Sequence, residues 1–237
     1  MITKFLKKIK NFILDLIFPI KCLNCGKEGN YLCPDCLKSI PLTDKFICPG
    51  CRRPSKNGAT CQECQNKIYL DGLIFALDYK NHLVKKAIIK SKYNFIKNLI
   101  YSLAKPLTKL INNTELYKTL NPDLVIPIPL HKRRLLYRGF NQSEILAKIL
   151  CQKFSWPLTN NILKRIKSTR SQTNLSSQKR WENIKDAFRV TDSKLIKNKN
   201  VVLIDDVFTT GATLEEAAKT LKKAGAKTVW AITLAKD

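Results

Sequence analysis

The chain has 237 residues, an apolar share of 44% and an aromatic share of 8%, enough for one or two domains with a real core and too much for wholesale disorder. Lys and Arg number 43 against 18 Asp and Glu, a formal charge of +25, which attracts polyanions such as nucleic acid, anionic lipid or phosphorylated metabolites. Because 34 of the bases are lysine and Ile and Asn are also abundant, an AT-rich coding bias explains the charge as well, so composition alone selects no partner.

In chain order, Ile2, Phe5, Leu6, Ile9, Phe12, Ile13, Leu16 and Ile17 fall on one helical face with lysines opposite, which predicts an amphipathic helix over residues 1–20, stopped by Pro19. That face either packs on its own protein or lies on an anionic membrane, the second option making residues 1–18 a peripheral contact at the inner membrane. The N-terminus lacks a small-residue cleavage site, and no run of ~18 apolar residues follows. Residues 21–68 are turn-rich and hold eight of the nine cysteines. From Asp71 to Asp237 strands alternate with helices, predicting βαβ crossovers and a mostly parallel sheet. The expected strands are Gly72–Tyr79, Asp123–Pro129, Leu158–Lys167, Val201–Asp205 and Lys227–Leu234. The expected helices are one or two over His82–Leu110, ending near Pro106, then Gln142 to about Phe154 and Thr213–Ala224. Leu130–Gly139 reads as a basic loop, and the stretch to about Asp186 as polar. Cys151, at an apolar helix position, reads as a buried inert thiol.

The cysteines form four C-x-x-C pairs between Cys22 and Cys64. Each pair can present two thiolates to one tetrahedral ion, so four pairs supply two sites of four sulfurs. Seven residues separate Cys25 from Cys33 and nine separate Cys51 from Cys61, lengths suited to tight hairpins. Sequential pairing follows: Cys22, Cys25, Cys33 and Cys36 for one zinc, and Cys48, Cys51, Cys61 and Cys64 for the other, with interleaving as the competing arrangement. Full sulfur ligation leaves no position for water, so both ions are expected to be structural. Without an export signal, this usage points to a reducing cytoplasm.

The most informative stretch is Val201 to Thr213, VVLIDDVFTTGAT. Four apolar residues make a buried strand that ends in Asp205 and Asp206, at the edge where open α/β sheets bind ligands. A small-residue loop then opens a helix. There backbone N–H groups converge, Thr hydroxyls add donors, and Gly211 lets an anion approach. Carboxylates beside such a nest suit a sugar phosphate, and no Walker lysine follows. Glu215 and Glu216 near the helix start suit its dipole.

These thirteen residues resemble the phosphoribosyl pyrophosphate (PRPP) loop of type I phosphoribosyltransferases. The resemblance implies that Asp205 and Asp206 hold the ribose 2- and 3-hydroxyls. It also implies that Thr209, Thr210, Gly211, Ala212 and Thr213 cradle the 5-phosphate, with Val207 and Phe208 inside the same ligand-binding stretch. Many members carry an acid where Thr209 stands, which argues against purine salvage here. The string from Pro127 to Gln142, PIPLHKRRLLYRGFNQ, follows a strand where that fold places its pyrophosphate loop. With the cysteine pairs and the later Arg165, Thr169, Gln172, Leu175, Arg180, Asn183, Ala187 and Phe188, it is similar to the ComF family. The likeness runs from Pro19 to Leu234 and implies a double zinc ribbon joined to a phosphoribosyltransferase-type parallel sheet with helices on both faces.

Arg134 and Arg138, four apart, have forked donors that suit pyrophosphate oxygens and join the two aspartates as the catalytic candidates. Lys132 and Arg133 read equally as ligand contacts or solvated charge, and His131 reads as a phosphate donor or, more simply, as a neutral imidazole bonded to backbone. Residues 164–199 hold eleven bases and three acids; a lid bearing Arg170, Lys179 or Arg180 belongs there in this fold. If turnover occurs, the family implies PRPP with Mg2+ held mainly by substrate oxygens and water. The resemblance also carries natural competence, handling of single-stranded DNA on the cytoplasmic side, and docking on a DNA-import helicase. The alternatives are an active phosphoribosyltransferase of unknown acceptor and a non-catalytic nucleic-acid-binding or interaction module.

Overall fold

The computed structural model describes residues 19–168 and 177–237. The helix expected over residues 1–20 with its membrane contact, and the expectations for Thr169, Arg170, Gln172 and Leu175, lie outside the described residues. Contacts divide the chain into two compact units, one up to Pro41 and one from Leu42 to Asp237. No described helix is long and apolar enough to cross a membrane.

The first unit is a cysteine knuckle closed by an antiparallel bridge between Lys21 and Glu28 and followed by the short helix α1, Pro34–Lys38. The second unit opens with another knuckle. Ile47 and Pro54 form an antiparallel bridge, and α2, Gln62–Gln65, starts at Cys61. Gly58 (φ +80°) lies so close to the sheet that a Cβ there would stand 2.1 Å from the Leu73 carbonyl oxygen.

Four parallel strands follow: β1 (Gly72–Asp78), β2 (Leu124–Pro127), β5 (Asn200–Phe208) and β6 (Thr228–Lys236), in the order β1-β6-β5-β2. Their near-continuous apolar runs are what a sheet covered on both faces requires. Both outer edges are met by single bridges, Ala59 with Gly72 and Leu158 with Val125, which blunts their exposed hydrogen-bonding groups. On one face Leu73, Phe75, Ile126, Leu203 and Ala231 share a core with Leu214, Ala217, Ala218 and Leu221 of α9, Ala212–Lys223. The antiparallel hairpin of β3 (Leu163–Arg165) and β4 (Phe188–Val190) adds Leu163 and Phe188 to that core. Against the other face pack α4 (Asn98–Asn113), on β1 and β6, and α7 (Gln142–Phe154), on β2 and β5; α3 (His82–Tyr93) lies against α4. Pairing of Pro127 with Ile204 brings the ends of β2 and β5 side by side, so the segments that follow them share one sheet edge.

Four segments depart in kind or extent from the sequence reading, and the strand expected over Val201–Asp205 runs three residues further, to Phe208. Pro106 does not end its helix: α4 runs to Asn113, because the buried stripe Leu99, Leu103, Leu107, Leu110 and Ile111 continues past it and outweighs the ~3 kcal/mol cost of an interior proline. Residues 130–139 are not a loop but contain α6, Lys132–Arg138, which has no buried residue and therefore no apolar stripe to betray it. The strand expected over Leu158–Lys167 is confined to β3. The polar stretch before Asp186 includes α8, Ser177–Ile184, which packs against α9. A five-residue helix, α5 (Leu116–Leu120), links α4 to β2.

Candidate functional site

In the first unit Cys22, Cys25, Cys33 and Cys36 bring their sulfurs within 4.8 Å of one another, and in the second unit Cys48, Cys51, Cys61 and Cys64 do the same. The pairing is therefore sequential and not interleaved. A tetrahedron of Zn–S bonds near 2.3 Å has edges of about 3.8 Å; the sulfurs of Cys25 and Cys33 are 3.6 Å apart and those of Cys51 and Cys61 are 3.7 Å apart. Backbone N–H groups point at the sulfurs: Cys33 donates to Cys22 Sγ at 3.5 Å and Cys61 to Cys48 Sγ at 3.4 Å. Burial works to raise the Cys22 thiol, but the N–H groups of Cys33, Asn24 and Cys25 outweigh it and bring it to about 6. The Arg53 guanidinium, 3.4 Å from Cys51 Sγ, brings that thiol to about 6 as well. Closed four-sulfur sets of this size fit structural zinc, with no ligand position left for chemistry.

At the common edge of β2 and β5 opens a cleft of about 340 Å³. All of Asp205 to Thr213 line it, together with Arg134, Arg138 and Arg180. The turn residues Thr209 and Thr210 lead into Gly211, whose left-handed backbone (φ 87°) caps α9, and Thr210 Oγ1 accepts from the Ala212 N–H at 3.4 Å. A Cβ on Gly211 would stand 2.8 Å from Cζ of Phe208. Only glycine satisfies both the dihedral and the close approach.

The motif after β2 folds for definite reasons. His131 caps α6, its Nδ1 accepting from the Arg133 N–H at 3.3 Å, so it is bonded to backbone. Asn141 caps α7 by accepting from the Ser143 N–H, while its Nδ2 donates to the Ile128 carbonyl at 2.9 Å. That fixes Gln142 and Ser143 at the cleft wall. Arg138 donates to Gln142 Oε1 at 3.2 Å, and Gln142 Nε2 is buried with no partner among the described residues.

The two aspartates have different surroundings. Asp205 Oδ1 accepts from Ser143 Oγ and from the Asp206 N–H, both at 2.9 Å. Burial first, and then the Asp206 charge, push its carboxyl up to about 6. Asp206 pairs with Lys92, Nζ to Oδ2 2.7 Å, with the two side chains 22% and 11% exposed. Burial works to lower the Lys92 ammonium, and the attraction of Asp206 and Asp205 more than offsets it, so its proton is held above the ordinary lysine value. Around this acidic pair the wall is basic. Burial, and then the charge of Arg138, lower the proton affinity of Arg134; burial, and then Arg134, lower Arg165 to about 10. Guanidinium groups are thus held near one another. The other acid lining the cleft is the C-terminal Asp237.

Every aspartate, threonine and arginine singled out in the 134–138 and 205–213 segments therefore meets in one cleft. Lys132, Arg133 and Lys179 do not line it. Sequence reasoning missed Lys85, Lys92, Tyr93, Ser143 and Asp237, which line it; Lys92 sits in the last turn of α3, where nothing but spatial proximity marks it. Glu215 and Glu216 do more than suit a dipole. Glu215 accepts from the N–H groups of Tyr69 and Leu70, and Glu216 from that of Asp186 at 3.0 Å. Cys151 is buried, and burial pushes its thiol up to about 11, as an inert core thiol requires.

Comparison with known proteins agrees with this layout. The phosphoribosyl transferase domain family matches residues 104–237, and the double zinc ribbon domain family matches residues 13–65. Competence protein F of Haemophilus influenzae is 29% identical over 84% of this chain and 94% of its own. DNA utilization protein YhgH of Escherichia coli O157:H7 is 31% identical over 84% of this chain and 87% of its own. Competence protein ComFC of Bacillus subtilis is 29% identical over 84% and 81%. With both domains matched and relatives aligned over 84% of the chain, the chain belongs to the ComF family, a double zinc ribbon joined to a phosphoribosyltransferase domain.

Proposed function

We propose that the cleft binds PRPP or a closely related phosphoribosyl ligand, and that the protein acts in the cytoplasm in natural competence, on imported single-stranded DNA. The observation that carries the ligand reading is the pairing of opposites in one cleft: two adjacent carboxylates on its floor and converging guanidinium groups on its wall. A plain polyanion would satisfy the arginines and be repelled by the aspartates. A ribose bearing phosphates satisfies both, because its hydroxyls donate to Asp205 and Asp206 while its phosphate oxygens accept from Arg134, Arg138 and the 209–213 amides. The buried donor Gln142 Nε2 is a further hydrogen bond waiting for an oxygen. The competence role rests on the names of the relatives.

For catalysis the bond between the anomeric carbon and the diphosphate oxygen breaks, the electron pair leaving with the diphosphate, and an acceptor then bonds to that carbon. Arg134 and Arg138 stabilise the departing negative charge and the aspartates hold the ribose in place. Magnesium, carried on the ligand's own oxygens and water, would supply further charge neutralisation there; the acids at hand suit such shared binding and do not form a cage.

Calorimetry with PRPP–Mg2+ tests this reading. Saturable binding by the wild type, weakened at least tenfold in Asp205→Asn plus Asp206→Asn, is expected, since charge-assisted hydrogen bonds contribute about 1.5–3 kcal/mol each. Pyrophosphate release on adding an acceptor would make the protein an enzyme. No PRPP binding, with salt-steep binding of single-stranded DNA that survives the double substitution, would overturn the ligand reading in favour of a nucleic-acid-binding module.

A further inference from the structure

We propose that Arg52, carried by the second zinc knuckle, is a positioning residue for the 209–213 loop, so that metal in the Cys48–Cys51–Cys61–Cys64 cluster and ligand in the cleft are energetically coupled. The ligand half of this statement rests on the reading above; the coupling of knuckle to loop does not.

Arg52 follows Cys51 within the knuckle. Its N–H donates to the Cys48 carbonyl at 3.0 Å, and the Cys48 N–H donates to the Arg53 carbonyl at 2.9 Å. The turn holds Arg52 in a left-handed conformation, φ 65°, which a non-glycine residue adopts at a cost. From there the side chain reaches away from the sulfurs. Nη2 donates to the carbonyl oxygen of Thr209 at 3.0 Å, and the guanidinium carbon lies 4.2 Å from the ring centroid of Phe208. Phe208 is fully buried, and its ring is the one that abuts Gly211. One side chain thus touches two successive residues of the ligand loop, from more than 150 positions earlier in sequence.

Peptide geometry turns this contact into control of a donor. The peptide joining Thr209 to Thr210 is planar and trans, so its C=O and N–H point in opposite directions. Pinning the Thr209 carbonyl on Arg52 directs the Thr210 N–H away from Arg52 and polarises it. Thr210 lines the cleft, in the segment whose amides serve the phosphate. A hydrogen bond on the far side of the loop therefore preorganises an anion-binding amide before ligand arrives.

Charge ties the same residue to the metal. Arg52 sits in the turn beside Cys51, and no carboxylate is paired with it among the described residues. Zinc with four thiolates carries a formal charge of about −2, a fitting counterion for a half-buried guanidinium whose Nη1 has no hydrogen-bond partner. Losing the metal frees the Cys48–Arg53 turn that holds Arg52 and removes that counterion, so the side chain loses the fixed anchor from which it reaches Thr209. A second tie runs in parallel: Glu215 of α9 clamps the N–H groups of Tyr69 and Leu70, just after the knuckle.

The test uses the full-length, zinc-loaded protein and three readouts. Amide hydrogen exchange over residues 205–214, without ligand, is expected to speed up at least fivefold in Arg52→Met and on chelation of the second cluster. PRPP–Mg2+ affinity is expected to fall about tenfold in Arg52→Met, the loss of one charge-assisted hydrogen bond, and to recover in part in Arg52→Lys, which donates but does not stack. By reciprocity, saturating PRPP–Mg2+ should raise the equilibrium zinc affinity of the second cluster, read by competition with a chelator, by the same factor that metal tightens the ligand. Unchanged exchange over 205–214 in a folded Arg52→Met that retains both metals would overturn the coupling. Should Arg52→Met not fold, Arg52→Gln, too short to reach the Thr209 carbonyl, carries the exchange measurement, with the same fivefold change expected and unchanged exchange overturning the coupling. Failure of the wild type to bind PRPP would sink the ligand reading while the exchange data still decide the coupling.

Discussion

Lys92 offers the sharpest test of how the acidic pair survives in its cleft. At an effective dielectric of about 20, unit charges some 4 Å apart attract by about 4 kcal/mol, and removing one partner of a buried pair costs about 3–5 kcal/mol. The Lys92–Asp206 contact is 2.7 Å long, but Lys92 keeps 22% of its side-chain surface in water, so the low end applies. Lys92→Met should therefore cost about 3 kcal/mol at pH 8. The loss should depend on pH. Asp205 holds its proton to about 6 in the folded protein against an ordinary 3.8, so the folded state binds more protons than the unfolded chain between those values. Its contribution to stability is then greatest at low pH and falls as pH rises from 3.8 through 6, by up to about 3 kcal/mol. Removing the ammonium takes away the positive charge that directly pairs with this acidic couple, so the repulsion between the two carboxylates raises Asp205 further and steepens that fall. At pH 5 the pair carries less charge and the cost of the substitution should shrink to about 1 kcal/mol. Urea denaturation of wild type and variant at pH 5 and pH 8, followed by tryptophan fluorescence, measures both differences. Equal losses at the two pH values, or none at pH 8, would refute the electrostatic account, and Asp206→Asn added to Lys92→Met should restore most of the pH 8 loss.

Gly211→Ala should cost about 2–3 kcal/mol, from the left-handed backbone plus contact with the Phe208 ring, and should abolish measurable PRPP–Mg2+ binding in calorimetry even where thermal denaturation shows a folded protein. Metal analysis should return about two zinc per chain, with Cys33→Ser and Cys48→Ser each losing one. Of these, only Cys48→Ser, whose cluster shares a compact unit with the sheet, should lower the melting temperature of the transition reported by Trp230 and Trp156.

Legibility followed the range of the signal. The cysteine spacing, the apolar strand into Asp205 and Asp206, and the stripe of α9 are local patterns, and each is found where the sequence places it. Local rules failed where tertiary contacts decide. Pro106 is held inside α4 by buried leucines on both sides of it. Helix α6 went unseen because Leu135, Leu136 and Tyr137 are exposed. The roles of Lys92, Arg52 and Glu215 are not legible in the sequence for a stricter reason. Each meets its partner across more than a hundred residues, and nothing in its own neighbourhood distinguishes it from the other bases and acids of a highly charged chain.

The distribution of charge in the cleft also bears on the two ligands that a strongly basic protein of this family invites. DNA offers a phosphate backbone and no 2-hydroxyl, so in this cleft it would bring negative charge to Asp205 and Asp206 without the pair of donors that could compensate them. The +25 of the whole chain acts at longer range and needs no such complementarity. If the protein binds both the proposed phosphoribosyl ligand and a nucleic-acid strand, the two would belong on different surfaces. On that reading the cleft would discriminate by its acids, and the remaining surface would attract by its excess of lysine. Substituting the aspartates should then separate the two, losing the first and sparing the second, whereas a common site would lose both or neither.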